Sequence, residues 1–487
     1  MTRSTAFLSA ASVLIFATVS GAQGIERSKP AVPTNEEMYG WASEIVEITK
    51  GYPEFRRMGT RGDAKTRRYI VDKLRSFGFK DVEEQAYDLE VRQYDEWKLT
   101  VDGDELPCYF MRGAGYTKSR GVRGELVFVG EAIDPAADYS GKIVVFEMKG
   151  QAIPGAAAEA IADFVYDPNG TLAKGSFGGK AGPIPSNFPV SYYQASDGGA
   201  LGMIAILKDY DTGTDRFYSD PSAMVQTRIP GLFLGKYAGE ALVQRIQDSS
   251  KPLEASVVVE GRTRKSSSAN VVATLPGQKA DTIIINTHHD SGWIGGVQDA
   301  SGISAVLGLA RYFAKIPDNF RQKTLVFAFD GSHYGWNYPM GANVFADSNP
   351  EVMENVVLAI GIEHIAKKFR AERDGYVDTG EIEPRILFTP PNRMLFEATK
   401  RAIVAHDLHD VVIPKAGALT MFGETQGFFL RGIPSYSYIS GPEYLFLEDD
   451  TLDKVAKEEF QAVVETFISI IDSVMYLPGS WIQRIDR

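Results

Sequence analysis

A single cysteine, Cys108, is all the thiol that this chain of 487 residues carries. That excludes an internal disulfide framework and any thiolate metal cluster, so stability has to come from core size. Cys108 lies among Leu106, Tyr109 and Phe110, the setting of a buried, inert thiol. Histidine is scarce too: there are six, at 288, 289, 333, 364, 406 and 409. Positive charge is outnumbered, with 51 Lys and Arg against 63 Asp and Glu and a net charge of −12. This balance argues against nucleic acid or an anionic membrane as the main partner, and it leaves peptide or small amide substrates open. After the N-terminal stretch no apolar run is long enough to span a bilayer. Repeats and low-complexity tracts are also missing, which removes solenoid and array architectures.

What is there begins with MTRSTAFLSAASVLIFATVSGAQG: an early arginine, an apolar stretch from Ala6 to Val19, then Ser20-Gly21-Ala22. This is a secretory signal pattern over residues 1–22, and it predicts a secreted or periplasmic protein with no membrane span in its mature form. The length, with 44% hydrophobic and 23% charged residues, predicts two or three globular domains. Residues 23–93 read as a Pro-rich linker, a helix from Asn35, a polar turn over Arg56–Gly62, a second helix from Lys65 to Phe77 and a loose strand from Val82 to Val91. Residues 94–265 change texture: short β-like runs such as Gly124–Val129, Lys142–Phe146, Met203–Leu207 and Ala255–Val259, parted by Gly, Pro and Asp. We read them as an inserted β-rich domain.

Residues 266–487 alternate strand and helix. Expected strands are Asn270–Leu275, Thr282–Thr287, Thr324–Phe329, Val356–Ile362 and Ser435–Ile439. Expected helices are Ser301–Lys315, Asn392–His406, Thr425–Arg431 and Leu452–Met475. The class is α/β, a sheet covered by helices on both faces.

The chemistry gathers at predicted strand ends. Four of the six histidines fall in the short segments THHD, FDGSH and IEHI. Such a sheet collects its site at the carboxyl ends of its strands. His288, Asp299 and Glu363 offer nitrogen and oxygen ligands for a divalent zinc, and Asp290 stands two residues from His288, where it can accept the imidazole N–H and fix its tautomer. A zinc so held lowers the pKa of bound water and polarises a carbonyl, which is what amide hydrolysis requires.

His288-His289-Asp290-Ser291, Gln298-Asp299-Ala300-Ser301-Gly302 and Ile362-Glu363-His364-Ile365 resemble the metal-site motifs of the M28 family of zinc peptidases. Arg57-Met58-Gly59-Thr60, the segment Asn270–Gly277, Gly432-Ile433-Pro434 and Asp450–Lys454 resemble further parts of that family. The resemblance implies a phosphorylase/hydrolase-like mixed sheet, with residues 94–265 as a protease-associated (PA) insertion. It implies one or two zinc ions, held by His288, Asp299 and Glu363, with Asp299 able to bridge. It also exposes departures. Where the family has two adjacent glutamates, a general base and a metal ligand, this chain has Ser332 and His333. Where it has a late histidine ligand, this chain has Phe446. Serine has no useful basicity near neutral pH, so His333 is the candidate either for the second site or for the base. Glu424 and Tyr438 are further candidates beside the substrate, and Asp330 is another carboxylate near by. The reading is an exported M28-type metal-dependent hydrolase, aminopeptidase-like or an amidase. The alternative is a binding protein on the same scaffold that has lost catalysis.

Overall fold

The computed structural model describes residues 29–172, 175–182, 185–218, 228–331, 333 and 341–486. The signal segment 1–22, Ser332 and the final Arg487 lie outside them. The chain divides into two units, Met1–Ala31 and Val32–Arg487, and the sheet belongs to the second.

Uninterrupted apolar runs make the middle of the sheet. Ile283, Ile284 and Ile285 are β-branched and wholly buried, so the strand Thr282–His288 has to be covered on both faces. It runs parallel to Thr324–Asp330 on one side and Val356–Ile362 on the other. Val356–Ile362 in turn runs parallel to Ser435–Ser440. Their carboxyl ends therefore share one edge: His288 stands opposite Asp330, and the Glu363 amide donates to the Tyr438 carbonyl at 3.0 Å. Beyond them the sheet continues through Arg385–Phe388 and Val411–Pro414 to Ala162–Tyr166. One face packs on the helices Asn35–Lys50, Gly302–Ala314, Arg393–Ala405 and Phe460–Val474. The other carries Ala342, Phe345 and Phe428 from two shorter helices.

Of the strands expected from Asn270 onward, four form to within a residue or two and Asn270–Leu275 is the end of the much longer Glu254–Leu275; the helices Gly302–Ala314 and Arg393–Ala405 form as expected. The last helix is shorter than its pattern, Phe460–Val474 rather than from Leu452. Tertiary pairing takes the missing turns: Val455 bridges Ala366, and the Ala456 amide donates to the Ile365 carbonyl at 3.1 Å. The helix predicted over Thr425–Arg431 reduces to the single turn Gln426–Phe429.

Two long strands carry the chain between the halves of the sheet. Asp81–Val101 pairs antiparallel with Glu254–Leu275 along nearly its whole length. Glu254–Leu275 then pairs with Thr324–Asp330 through its last residues and with Val122–Phe128 through its first. The boundaries drawn at 93/94 and 265/266 thus fall inside these strands. Between them, Val122–Phe128, Lys142–Glu147, Gly202–Leu207 and Gly231–Gly235 lie side by side in parallel, with helices Val190–Asp197 and Lys236–Asp248. Ala162–Tyr166, from the same stretch of sequence, closes the far edge of the sheet against Val411–Pro414.

Ile285→Ala removes packing atoms from the centre of this core. It should lower unfolding free energy by about 2–5 kcal/mol in denaturant titration followed by circular dichroism, with the upper half expected because both faces are covered. A loss below ~1 kcal/mol would mean that the central strand is not enclosed as described.

Candidate metal centre

Three side chains converge at the shared strand edge. One ligand atom from each of His288, Glu363 and His364 lies within 4.8 Å of the other two, and all three residues are buried. Each is tied on its outer side to a backbone group. His288 Nδ1 donates to the Asp290 carbonyl at 3.0 Å, and His364 Nδ1 donates to the Ser440 carbonyl at 2.9 Å. Glu363 Oε1 accepts the Glu424 amide at 2.5 Å. A carbonyl only accepts, so both imidazoles carry their proton on Nδ1 and turn the Nε2 lone pair inward. Glu363 Oε2 and His364 Nε2 have no hydrogen-bond partner among the described residues and stand 3.9 Å apart. Outer atoms fixed by backbone with inner lone pairs converging is the arrangement that metal ligands show.

The local backbone explains how His364 enters. It has φ +56°, so the chain turns sharply after the strand and brings His364 beside Glu363 instead of across the sheet. Its amide donates to Asp299 Oδ1 at 3.2 Å.

The electrostatics are those of a site short of positive charge. Burial, followed by the charge of His333, pushes His288 down to about 3. Burial, then His288, holds His364 well below the usual range. Both are therefore neutral near pH 7, the form in which imidazole binds metal. Burial drives Glu363 up to about 7 against the opposing charge of His333. Asp299 and Asp330 are also held well above the usual carboxylate range by burial, with Glu363 next in effect for the first and Glu424 for the second.

His333 forms a second layer. Its ring stacks on that of His288, with centroids 3.9 Å apart and planes 9° from parallel. Nδ1 lies 2.7 Å from Glu424 Oε2, and the His333 amide donates to Asp290 Oδ1 at 3.2 Å. Burial works against its charge, but the Glu424 carboxylate outweighs that and holds His333 up to about 9. Glu424 is itself buried, with Oε1 accepting the Ala342 amide at 2.8 Å. Asp290 is kept down to about 2: burial raises it, and the His288 bond and neighbouring imidazole charges win.

The other predicted residues sit as follows. Asp299 is adjacent to the three converging residues. Its carboxylate accepts from the Thr287 hydroxyl, the Gly302 amide and the His364 amide. Asp330 Oδ2 accepts the Asn286 side-chain amide at 3.1 Å. Tyr438 points into the helical face, against Phe467 with ring centroids 6.1 Å apart. Phe446 packs where three apolar clusters meet, and its carbonyl accepts Trp293 Nε1 at 3.0 Å and the Tyr218 amide at 2.8 Å. Ser332 lies outside the described residues.

Sequence reasoning gave His364 no role and passed over Arg56. Arg56 is wholly buried and donates to the carbonyls of His289, Ile294, Gly295 and Gln298 at 2.5–3.1 Å, and to the Thr49 hydroxyl at 3.0 Å. Asp450 takes the amides of Val297 and Gln298 at 2.7 and 2.9 Å. Together they fix the loop between His288 and Asp299. The signal for His364 was its place beside Glu363; no sequence pattern marks Arg56.

Residues 270–379 match the sequence profile described as Peptidase family M28. No curated protein gives a sequence match. Among solved structures, an aminopeptidase from Aneurinibacillus sp. strain AM-1 is 20% identical with a TM-score of 0.61, over 90% of this chain and 93% of that one. BSAP, a zinc aminopeptidase from Bacillus subtilis, is 17% identical with a TM-score of 0.65, over 91% and 95%. A peptidase M28 precursor from Shewanella amazonensis is 16% identical with a TM-score of 0.65, over 91% and 95%. The likeness to these structures is one of fold, over most of each chain.

Zinc affinity should rise with pH between 6 and 8. Glu363, at about 7, must lose its proton to bind, while His288 and His364 have already lost theirs. Competition titration against a chromophoric chelator measures this, and a flat profile would contradict it.

Proposed function

We propose, from the membership of residues 270–379 in peptidase family M28, that this protein is a metal-dependent hydrolase. Its substrate is a peptide or small amide, taken in an aminopeptidase-like or amidase reaction at a single zinc. The observation that carries this is the convergence of His288, Glu363 and His364, each with its outer atom tied to the backbone. The donor set fits the ion: two neutral imidazoles and a carboxylate are the ligands of catalytic zinc sites, and the buried, unpartnered Glu363 Oε2 and His364 Nε2 lack any other use. When bound there, zinc would polarise the substrate carbonyl and lower the pKa of water. Asp299, beside these ligands, is the further carboxylate for an ion.

The chain's own groups supply the rest. Asp290 holds the His288 tautomer through its carbonyl and fixes the His333 backbone through its carboxylate. His333, raised to about 9 by Glu424, is a cation at neutral pH. It is therefore suited to give a proton from Nε2 to the departing amine and poorly suited to take one from water. Glu424 acts on the substrate only through His333. Residues 94–265 fit a PA-like insertion, and residues 1–22 fit an export signal.

A second reading, a binding protein without turnover, draws on the same cation: an imidazolium held by a buried carboxylate is not a general base, and Phe446 is spent on packing.

Zinc-reconstituted protein should hold metal stoichiometrically and hydrolyse aminoacyl amides in a chelator-sensitive way. Glu363→Ala should lower metal affinity more than ~100-fold. His333→Ala should keep the metal and lose about 10²–10⁴ in kcat. Metal bound without hydrolysis of any amide would select the binding reading, and absence of stoichiometric metal would end the hydrolase one.

A further inference from the structure

Arg112 is 5% exposed and stands in an aromatic box. Its guanidinium carbon lies 4.3 Å from the Tyr218 ring centroid, 5.2 Å from that of Trp293 and 5.8 Å from that of Phe110. Among the described residues one of its five N–H donors is used: Nη2 donates to the Gly292 carbonyl at 3.0 Å. Nε is buried and has no hydrogen-bond partner among the described residues. No carboxylate among them forms an ion pair with Arg112. Burial, and then the like charge of a second guanidinium, Arg57, weakens its hold on the proton. Arg57 is 9% exposed and also without an ion pair among the described residues. A buried cation without a counter-charge is costly, and aromatic faces offset only part of that cost. Close to the catalytic loop, such a group is set up for an anion that arrives with the ligand.

The surroundings locate this anion relative to the metal centre. Gly292, which takes the Arg112 bond, is two residues beyond Asp290 and four beyond His288 on the same loop. A side chain at Gly292 would run into the Tyr218 ring, so glycine is what lets the box close over the loop. Trp293 is pinned by its indole N–H to the Phe446 carbonyl at 3.0 Å, and the Tyr218 amide is held by the same carbonyl at 2.8 Å. Phe446 thus braces two walls of the box.

We propose that Arg112 binds a carboxylate of the substrate, so that the preferred substrate is a short peptide with a free C-terminal carboxylate. This inference rests on the hydrolase reading and narrows it. A guanidinium offers paired donors to a planar carboxylate, and in a water-excluded aromatic box the pair is worth more than at a surface. Because the chain supplies no competing carboxylate among the described residues, the substrate's carboxylate is the partner that completes the box.

The test compares a dipeptide with its C-terminal amide, on the full-length zinc-reconstituted protein. Calorimetric binding at low temperature and kcat/KM should both favour the free carboxylate by at least ten-fold. Arg112→Met, which keeps volume and removes charge, should abolish that preference, bringing the ratio between the two ligands to about one whatever it does to both together. Arg112→Lys, which keeps the charge and loses the fork, should retain part of it and serves if the Met variant fails to fold. Equal affinity for the two ligands in the unmodified protein, or a preference that survives Arg112→Met, overturns the proposal. Hydrolysis of both ligands with equal efficiency sinks the carboxylate pocket alone. A carboxylate preference in binding, lost in Arg112→Met, with no hydrolysis of either ligand, sinks the hydrolase reading alone.

Discussion

The centre depends on how one loop is held. Residues 289–298 connect the tip of the central strand to the segment bearing Asp299, and 289–295 belong to no strand or helix that would satisfy their carbonyls. Arg56 does so from beneath, with bonds to four of them. Asp450 takes two amides from the far end. Arg112 takes one more carbonyl from the outer side. A buried carbonyl left without a donor costs about 1–3 kcal/mol, so losing this set of bonds would leave the loop strongly destabilised. The positions of His288, Asp290 and Asp299 are consequences of that clamp as much as of the sheet.

A second constraint is charge. Asp290, Asp299, Asp330, Glu363 and Glu424 are all buried within the same few elements, and His333 and Arg56 are cations set against them. Burial without neutralisation lifts Asp299, Asp330 and Glu363. An added divalent cation reverses that cost for the carboxylates it touches, so the same groups that burial strains would anchor the ion.

The fold from Asn270 onward was legible because its strands are continuous apolar runs and its helices have a clean period. Ile283–Ile285 and Val356–Ile362 admit few other readings. The final helix was overextended because Leu452–Ala456 also fits a helical pattern; only pairing with Ile365 and Ala366, far off in sequence, shows otherwise. The stretch between residues 94 and 265 read as a unit apart because its strands are short. That the chain enters and leaves it along two very long strands shows only once Asp81–Val101 and Glu254–Leu275 are paired. At the centre, His288 and Glu363 were legible as strand-tip ligands. His364 was not, because its inward turn comes from a positive φ that histidine seldom adopts. Arg56 and Arg112 were not, because their partners are backbone carbonyls and ring faces, which leave no mark on residue type or spacing.

The pairing of Asp81–Val101 with Glu254–Leu275 also bears on the order of assembly. A ribbon whose two sides are separated by more than 150 residues of intervening chain cannot form early. Of the helices packed on Asn35–Lys50, Arg61–Ser76 follows at once in the chain, but Gly302–Ala314 and Phe460–Val474 come far later. Until those are made, that helix has only Arg61–Ser76 to rest on, and the core it belongs to closes after neighbours from the second half of the chain arrive.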